Sequence, residues 1–538
     1  MGQGGFAHRY GAGLRIALPN RGEFGTEMSR MKKLILFFTM ALAAEAVRAA
    51  LPQPDLIAQI HFAGAQKIST DTNSAAFTNE FCSAEALALR AQTAEKLSVW
   101  LAGWLAGNGG TAMPDGAAKL HPLLDDLQTA EWFFEARAAA NGRPEAALAI
   151  QLDPARARLW QANLKAFFPA ASFQSSGAWL IFDSGTGPQK LGASLAQKIA
   201  APPAGWCSAD VSWPRLAQWY PKLKALGLPE TQLRVTAAEA NFHIDGKFFF
   251  PENLALNFEP WRVPTNSLHQ PFVSFTAARG FAGWLAGQGW AQPLALRPPA
   301  NQIFVWALPQ IPFQTFAAVP VPDAAAALRQ VYAQLNPVVT NASAQGGLIS
   351  PATLELTTNE IGFRGLPFIA PYLRSVTEPA GQFLLAGGFP NPPRGKPLPP
   401  ELFTRLATPN LVFYHWEITA ERLGAKFDVL PQFTQLGLML TRHRQLAAES
   451  RSFKWMQKIS PALGNTVTEI TQTGPAEMTF SRKAPGGLTA AELLALANWM
   501  EAPNFPGCDL SLPARPKQFK RPHLPLSGTP APAPVPAP

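Results

Sequence analysis

An internal repeat constrains the fold of this chain more than any other feature of its sequence. The segment Ala102–Gly109 reads AGWLAGNG and Ala282–Gly289 reads AGWLAGQG, so seven of the eight residues are identical. In a chain rich in alanine and glycine a short match can arise by chance. The segments that follow the two copies therefore have to agree as well.

The two copies are followed by the same predicted elements. In each case an apolar strand leads to an aspartate that is typical of a helix N-cap, and an amphipathic helix comes next. These elements are 146–152, Asp153 and 156–168 after the first copy, and 316–321, Asp323 and 324–335 after the second. This agreement favours duplication over chance.

Each half also contains a predicted β-hairpin, and the two halves are predicted to open alike. The hairpins pair 232–237 with 241–249 and 466–472 with 477–482, and the openings are a helix at 85–105 and its counterpart at 276–284. We therefore predict an α+β fold of two tandem duplicated units, 51–270 and 271–487, each a mainly antiparallel sheet packed with helices. A capping helix is expected within 488–512.

The N-terminal region has the pattern of an export signal. Met31-Lys-Lys is followed by about a dozen apolar residues and then by small residues up to Ala50, which is the order of a secretory signal peptide. We expect 31–50 to be removed, with cleavage after Ala49 or Ala50. Residues 1–30 are interpreted as a mis-assigned upstream extension. The expected location is periplasmic or extracellular, in a bacterium.

The distribution of charge argues against nucleic acid as a partner. The chain carries a net charge of +9, but residues 1–49 have seven basic and three acidic residues, and the tail from Pro513 has four basic residues and no acid. Removing these two contributions of +4 leaves about +1 for the body, which is too little for a phosphate-binding surface. No stretch after the signal is long and apolar enough to predict a membrane span.

The C-terminal segment 513–538 is predicted to be a disordered, basic tail. Nine of its 26 residues are proline, and it ends in the sequence TPAPAPVPAP. Such a composition favours polyproline II conformation over a packed core.

One short motif suggests catalysis. The apolar run 179–182 leads into Asp183-Ser184-Gly185-Thr186, and this segment resembles the active-site loop of the aspartic peptidases. The resemblance implies a carboxylate held by hydroxyl groups and paired with a second carboxylate that shares its proton. The sequence has no second motif of this kind, so the alternative interpretation is a strand that ends in an ordinary polar turn.

Other motifs are not present in the sequence. Its eight histidines never fall at the spacing that places two metal ligands on one helix face, and no nucleotide-binding glycine motif is found, so we predict no metal site and no cofactor. An exported chain can form one disulfide among Cys82, Cys207 and Cys508, and the sequence leaves the pairing open.

A ligand site is predicted at the connection between the two units. Glu259, Trp261, Arg262 and Asn266 lie in a segment rich in proline between the predicted bodies, and clefts between bodies often bind ligands. The partner would be another protein or a small apolar or saccharide ligand. The tryptophans elsewhere are more readily explained as core residues.

As a whole the chain resembles large, uncharacterised exported proteins of environmental bacteria, through its signal segment, its tryptophan-rich repeat and its proline-rich end. That resemblance implies no activity. The leading hypothesis is an exported, non-enzymatic binding protein with its site at the junction of two duplicated units. The alternative is a secreted, peptidase-like hydrolase that uses Asp183.

Overall fold

The computed structural model describes most of the chain between residues 55 and 506. The described ranges are 55–107, 113–138, 144–184, 191–224, 227–269, 271–286, 296–309, 314–344, 353–366, 369–389, 400–424, 450–502 and 505–506. The expected upstream extension, the signal peptide, Cys508 and the tail 513–538 lie outside these ranges.

Eighteen strands form the centre of the described structure. They are β1 Leu56–Phe62, β2 Trp132–Ala138, β3 Pro144–Gln151, β4 Ser172–Ser176, β5 Trp179–Asp183, β6 Cys207–Val211, β7 Glu230–Ala238, β8 Asn241–Phe249, β9 Ser274–Arg279, β10 Gln302–Ala307, β11 Thr315–Val321, β12 Thr353–Leu356, β13 Glu360–Arg364, β14 Tyr372–Glu378, β15 Gly381–Gly387, β16 Leu411–Ile418, β17 Asn465–Gly474 and β18 Glu477–Ala484.

Helices connect many of these strands. They are α1 Ala65–Ile68, α2 Ala75–Phe81, α3 Ala84–Gly107, α4 Gly116–Thr129, α5 Pro154–Phe167, α6 Leu191–Ala200, α7 Trp213–Trp219, α8 Pro221–Lys224, α9 Ala282–Ala286, α10 Ala324–Ala344, α11 Arg451–Ile459 and α12 Ala490–Glu501. Residues 419–424 are also helical, and 3₁₀ turns occupy Pro400–Ala407 and Ser460–Ala462.

All the strands belong to one antiparallel sheet, which confirms the predicted α+β class with mainly antiparallel pairing. Its central pair is β8 and β18. Outward from β8 the order is β7, β6, β1, β2, β3, β5 and β4. Outward from β18 it is β17, β16, β9, β10, β11, β15, β14, β13 and β12.

The two faces of this sheet are covered differently. On one face, which we call the helical face, an apolar cluster that includes Trp206, Leu233 and Phe480 lies over the central strands, and Phe81 of α2 packs against it. Helices α3, α11 and α12 form a neighbouring cluster. On the opposite face the described residues cover only two flanks: α6 packs over β2, β3 and β5, and the turn Pro400–Ala407 packs over β9 and β16.

Local sequence signals account for several of these elements. The Asp153 carboxylate accepts hydrogen bonds from the amides of Ala155 and Arg156, as expected of an N-cap before α5. Asp323 accepts from the amide of Ala326 at the start of α10. These observations confirm both predicted caps.

The expected helical opening at 276–284 is wrong in its first part. Ser274–Arg279 is strand β9, hydrogen-bonded on both sides, and only Ala282–Ala286 is helical. Its alternating residues Phe275 and Ala277 are buried in the core, and this tertiary burial outweighs the local resemblance to a helix start.

Candidate functional site

The central strands carry a mainly polar surface on the face opposite the helical face, with Val467 as an apolar residue at its border. Directly paired residues of an antiparallel sheet lie on the same face, so the registers define this surface. We call it the central polar face, and its residues are Ser208, Asp210, Gln232, Arg234, Thr236, His243, Asp245, Lys247, Thr479, Ser481, Lys483, Glu469 and Thr471. All of them are exposed or half-buried. Five strands at about 4.8 Å spacing make this face roughly 19 Å wide.

The centre of this face is the pair Asp245 and Ser481. The Ser481 hydroxyl donates to Asp245 Oδ1 at 3.0 Å. Asp245 is the fifth residue of β8 and Ser481 is the fifth residue of β18, and the two residues pair directly. The fifth residues of the two strands that follow the hairpin turns therefore pair with each other.

Charges of both signs surround this pair. Lys247 Nζ lies 2.9 Å from Glu477 Oε1, and Lys483 Nζ lies 2.7 Å from Glu239 Oε2. Arg405 Nε of the Pro400–Ala407 turn lies 2.7 Å from Glu469 Oε1 at one border of the face. The paired charges leave a surface with many hydrogen-bonding groups and little net charge.

At the other border, α6 contributes a charged cluster. Lys198 Nζ donates to Gln59 Oε1 at 2.7 Å and also contacts the buried carboxylate of Glu135. Gln59 pairs with Asp210 of the central polar face. Burial raises the pKa of Asp210 to about 6, although the Lys198 charge opposes the rise. Asp210 Oδ1 is buried and has no hydrogen-bond partner among the described residues.

This border can therefore exchange a proton close to neutral pH. A buried, unsatisfied carboxylate oxygen is costly unless a ligand, a proton or water satisfies it. This border carries both the Lys198 ammonium group and the Asp210 carboxyl group, which can hydrogen-bond acceptors and donors of a polar ligand.

The structure places Asp183 beneath α6. Its Oδ2 accepts from the amide of Gly192 at 2.8 Å, and the side chain is buried. Ser184 Oγ donates to the carbonyl of Ala146 at 2.8 Å and accepts from its amide at 3.0 Å, whereas Thr186 lies outside the described residues. The nearest acid in the same cross-strand row is Glu135, and the fully buried Ala147 separates the two.

This geometry makes a structural role for Asp183 testable. We expect Asp183→Ala to lower the free energy of unfolding by about 1–3 kcal/mol, because the Gly192 amide loses a buried acceptor at the start of α6. Asp183→Asn retains an acceptor oxygen and should cost less. Urea denaturation measures both, and Asp153→Ala serves as a matched variant at an exposed cap. Hydrolysis of unfolded casein at acid pH by the wild type, lost in Asp183→Asn, would instead support the peptidase alternative.

The residues predicted at the connection between the units are packed against the second half of the sheet. Arg262 Nε donates to the carbonyl of Ala380, and its guanidinium lies 5.8 Å from the centre of the Phe383 ring. Trp261 packs against the core of β9 and β10, with its Nε1 buried and not hydrogen-bonded within the described structure.

The other two predicted residues are held by hydrogen bonds near the chain surface. The backbone amide of Asn266 donates to Glu378 Oε2 at 2.8 Å. Glu259 Oε1 accepts from Asn257 Nδ2 at 2.7 Å and is exposed. The four predicted residues therefore lie along one segment of the chain that runs over the sheet. Each of them makes separate contacts, and none of these contacts joins one of the four to another.

A buried polar network lies on the helical face and was not predicted. Arg482 forms two hydrogen bonds with the Glu492 carboxylate, at 2.8 and 3.1 Å, and a third with Thr468 Oγ1 at 2.8 Å. Glu492 also completes a capping box with Thr489 at the start of α12. The Thr489-x-x-Glu492 spacing is the feature of the sequence that indicates this capping box.

A second part of this network surrounds Glu417. Its Oε1 accepts from the amide of Ala490 at 2.7 Å and from Thr419 Oγ1 at 3.0 Å, and His415 Nε2 lies 3.4 Å from Oε2. Burial by itself raises the pKa of Glu417. His415, the Ala490 amide and the Arg422 charge outweigh that effect and hold the pKa at about 2.

The central polar face was also missed, although its signal was present in the sequence. Polar and apolar residues alternate strictly in Gln232–Thr236 and again in Glu477–Ser481, after which the buried Arg482 interrupts the pattern. Such alternation indicates one buried and one solvated face for each strand. It does not indicate that β8 and β18 are neighbours, and only that pairing makes the two polar stripes continuous.

Three further observations bear on the class of site. In the described part of the chain, no three histidine, cysteine, aspartate or glutamate side chains are grouped as a metal would require. None of the helices there combines the length and apolar character of a transmembrane helix. Cys82 and Cys207 are not joined to each other.

Comparisons with known proteins add no family. No family model matches the chain, and no curated protein and no solved structure matches it either.

Proposed function

We propose that this is an exported, non-enzymatic binding protein whose ligand lies on the central polar face. The observation that carries the proposal is the mainly polar surface at the centre of the sheet, which no described residue outside the sheet covers and which α6 borders on one side and Pro400–Ala407 on the other. The signal pattern at 31–50 supports export to the periplasm or the medium.

The proposal includes duplication of two units, and the strand order supports it. Seven strands of each half follow one another outward from the β8–β18 pair, and they can be matched by their order along the chain. In the first half they are β8, β7, β6, β1, β2, β3 and β5, and their counterparts in the second half are β18, β17, β16, β9, β10, β11 and β15. The pairing of Asp245 with Ser481, at equal positions in their strands, supports it as well. The junction of the units is then this central pair of strands, and the ligand site lies at that junction.

The chemistry of the face favours a neutral, hydroxyl-rich ligand of the saccharide class. Basic residues such as Lys247 and Lys483 are balanced by acids, so the face does not select a polyanion. Hydroxyl, amide and carboxylate groups supply both donors and acceptors. Trp416 lies in the same cross-strand row as Lys483, through Val467, and its half-buried ring can stack on a sugar ring at one edge.

The test is titration of the full chain with four neutral hexasaccharides that differ in linkage or in sugar unit: cellohexaose, chitohexaose, laminarihexaose and maltohexaose. We expect at least one to bind, and Asp245→Ala together with Lys247→Ala to weaken that binding by at least about tenfold, which corresponds to roughly 1.4 kcal/mol. Isothermal titration calorimetry measures both affinities.

Arg364→Ala is the matched control, because Arg364 is an exposed ion-pair residue on the outer strand β13. It should leave the affinity unchanged. Failure of all four saccharides to bind at about 1 mM, or equal binding by the doubly substituted chain, would contradict the proposed ligand class.

A further inference from the structure

Helix α3 presents an exposed aromatic surface. Val99, Trp100 and Trp104 are 61%, 40% and 39% exposed, and the two indole rings stack with their centres 6.3 Å apart. Large apolar side chains that are exposed next to each other mark interaction sites more often than isolated ones do.

Small residues form a hollow beside these rings. The hollow has a volume of about 370 Å³ and is lined by Ala102, Gly103, Ala106, Met113 and Pro114. A side chain added at Gly103 would meet no atom of the described residues within 4 Å, so the floor is open among them. We call the hollow and the three exposed side chains the α3 groove. Exposed aromatic rings on the same helical turns as a hollow of small residues offer the kind of aromatic surface that binds polyproline II helices.

The C-terminal part of the body lies close to this groove. Lys96 Nζ of α3 donates to the carbonyl of Met500 in α12 at 2.7 Å, about one helical turn before Val99 and Trp100. Trp499 of α12 donates from its Nε1 to the carbonyl of Pro506, which lies beyond the end of the helix, at 3.2 Å. Residue 506 is the last that the structure describes. The rest of the chain therefore continues from a point beside α3.

We infer that the α3 groove binds the proline-rich end of this same chain, residues 529–538. Those residues read TPAPAPVPAP, a composition that favours polyproline II conformation before any binding. A segment with too few apolar residues to form a core of its own can still bind to another surface. A preformed polyproline II helix loses little conformational entropy when it binds. The residues between Pro506 and Thr529 can span roughly 70 Å when extended, so the reach is ample.

Photocrosslinking of the full chain tests this inference. Val535 is replaced by p-benzoylphenylalanine, the protein is irradiated, and tryptic peptides are analysed by mass spectrometry. We expect the main product to be an intramolecular crosslink to residues 97–119, the tryptic peptide that contains the groove. Trp100→Ala with Trp104→Ala should reduce its yield about tenfold, in the range for removal of aromatic anchors.

A second variant separates loss of the groove from loss of folding. Gly103→Leu fills the floor without removing any packing, and it should abolish the crosslink at an unchanged melting temperature. Tyr220→Ala, at an exposed aromatic residue elsewhere, should have no effect on the yield. Crosslinks distributed over other surfaces, crosslinks between two copies of the chain, or a yield that Gly103→Leu leaves unchanged would each overturn the inference.

Discussion

Glu492→Leu is expected to lower the free energy of unfolding by about 3–5 kcal/mol, because it leaves a buried arginine without its counter-charge. Arg482 and Glu492 are only 3% and 7% exposed, and their guanidinium and carboxylate groups meet through two hydrogen bonds. Once the carboxylate is removed, neither water nor another acid compensates the guanidinium charge fully. Chemical denaturation at neutral pH measures the loss.

A double variant that removes both charges of the buried pair tests the same prediction. Arg482→Met combined with Glu492→Leu removes both charges and should be more stable than either single variant, because no buried ion remains unpaired. The exposed pair Arg364 and Glu355 provides a matched control, and its disruption should change stability within error. A small loss in Glu492→Leu, similar to that of the exposed pair, would show that the buried pair is dispensable.

The second large expected effect is a dependence of the unfolding free energy on pH that comes from Glu417. Its pKa is about 2 in the folded protein, compared with an ordinary value of 4.5, so the folded state binds a proton more weakly than the unfolded state. The contribution of Glu417 is therefore complete above pH 4.5 and is lost as the pH falls towards 2. Its size is on the order of 3 kcal/mol.

Comparison of the wild type with Glu417→Gln isolates this contribution from that of other acids. The difference in unfolding free energy should be large at pH 7 and should shrink steadily between pH 4.5 and pH 2.5. Urea denaturation across this range measures it. A difference that does not change with pH would mean that the carboxylate charge of Glu417 adds nothing to stability.

Much of the local structure could be predicted from the sequence because local rules determine it. The aspartate caps before α5 and α10 and the two hairpins follow from side-chain chemistry within a few residues. Strand β9 could not be predicted in the same way. Its position between β10 and β16 depends on residues distant in the chain, and that burial determines its conformation.

The candidate site depends even more on distant pairing. Asp245 and Ser481 each lie on an alternating strand, but nothing local to either residue indicates that they meet. The Lys198 cluster likewise requires α6 to fold over β1 and β2. Buried charges such as Arg482 are also difficult to recognise in a sequence, since charged residues are usually solvated.

The contact between β8 and β18 has a consequence for how such a protein could have arisen. An isolated first half would expose β8 as an open edge, and an edge strand of this kind readily pairs with another copy of itself. Two copies related by a two-fold axis would reproduce the central contact seen within the single chain, with Asp245 meeting its own counterpart where Ser481 now stands. On the proposed duplication, fusion of a dimeric ancestor would have turned an isologous subunit interface into the interior of one sheet.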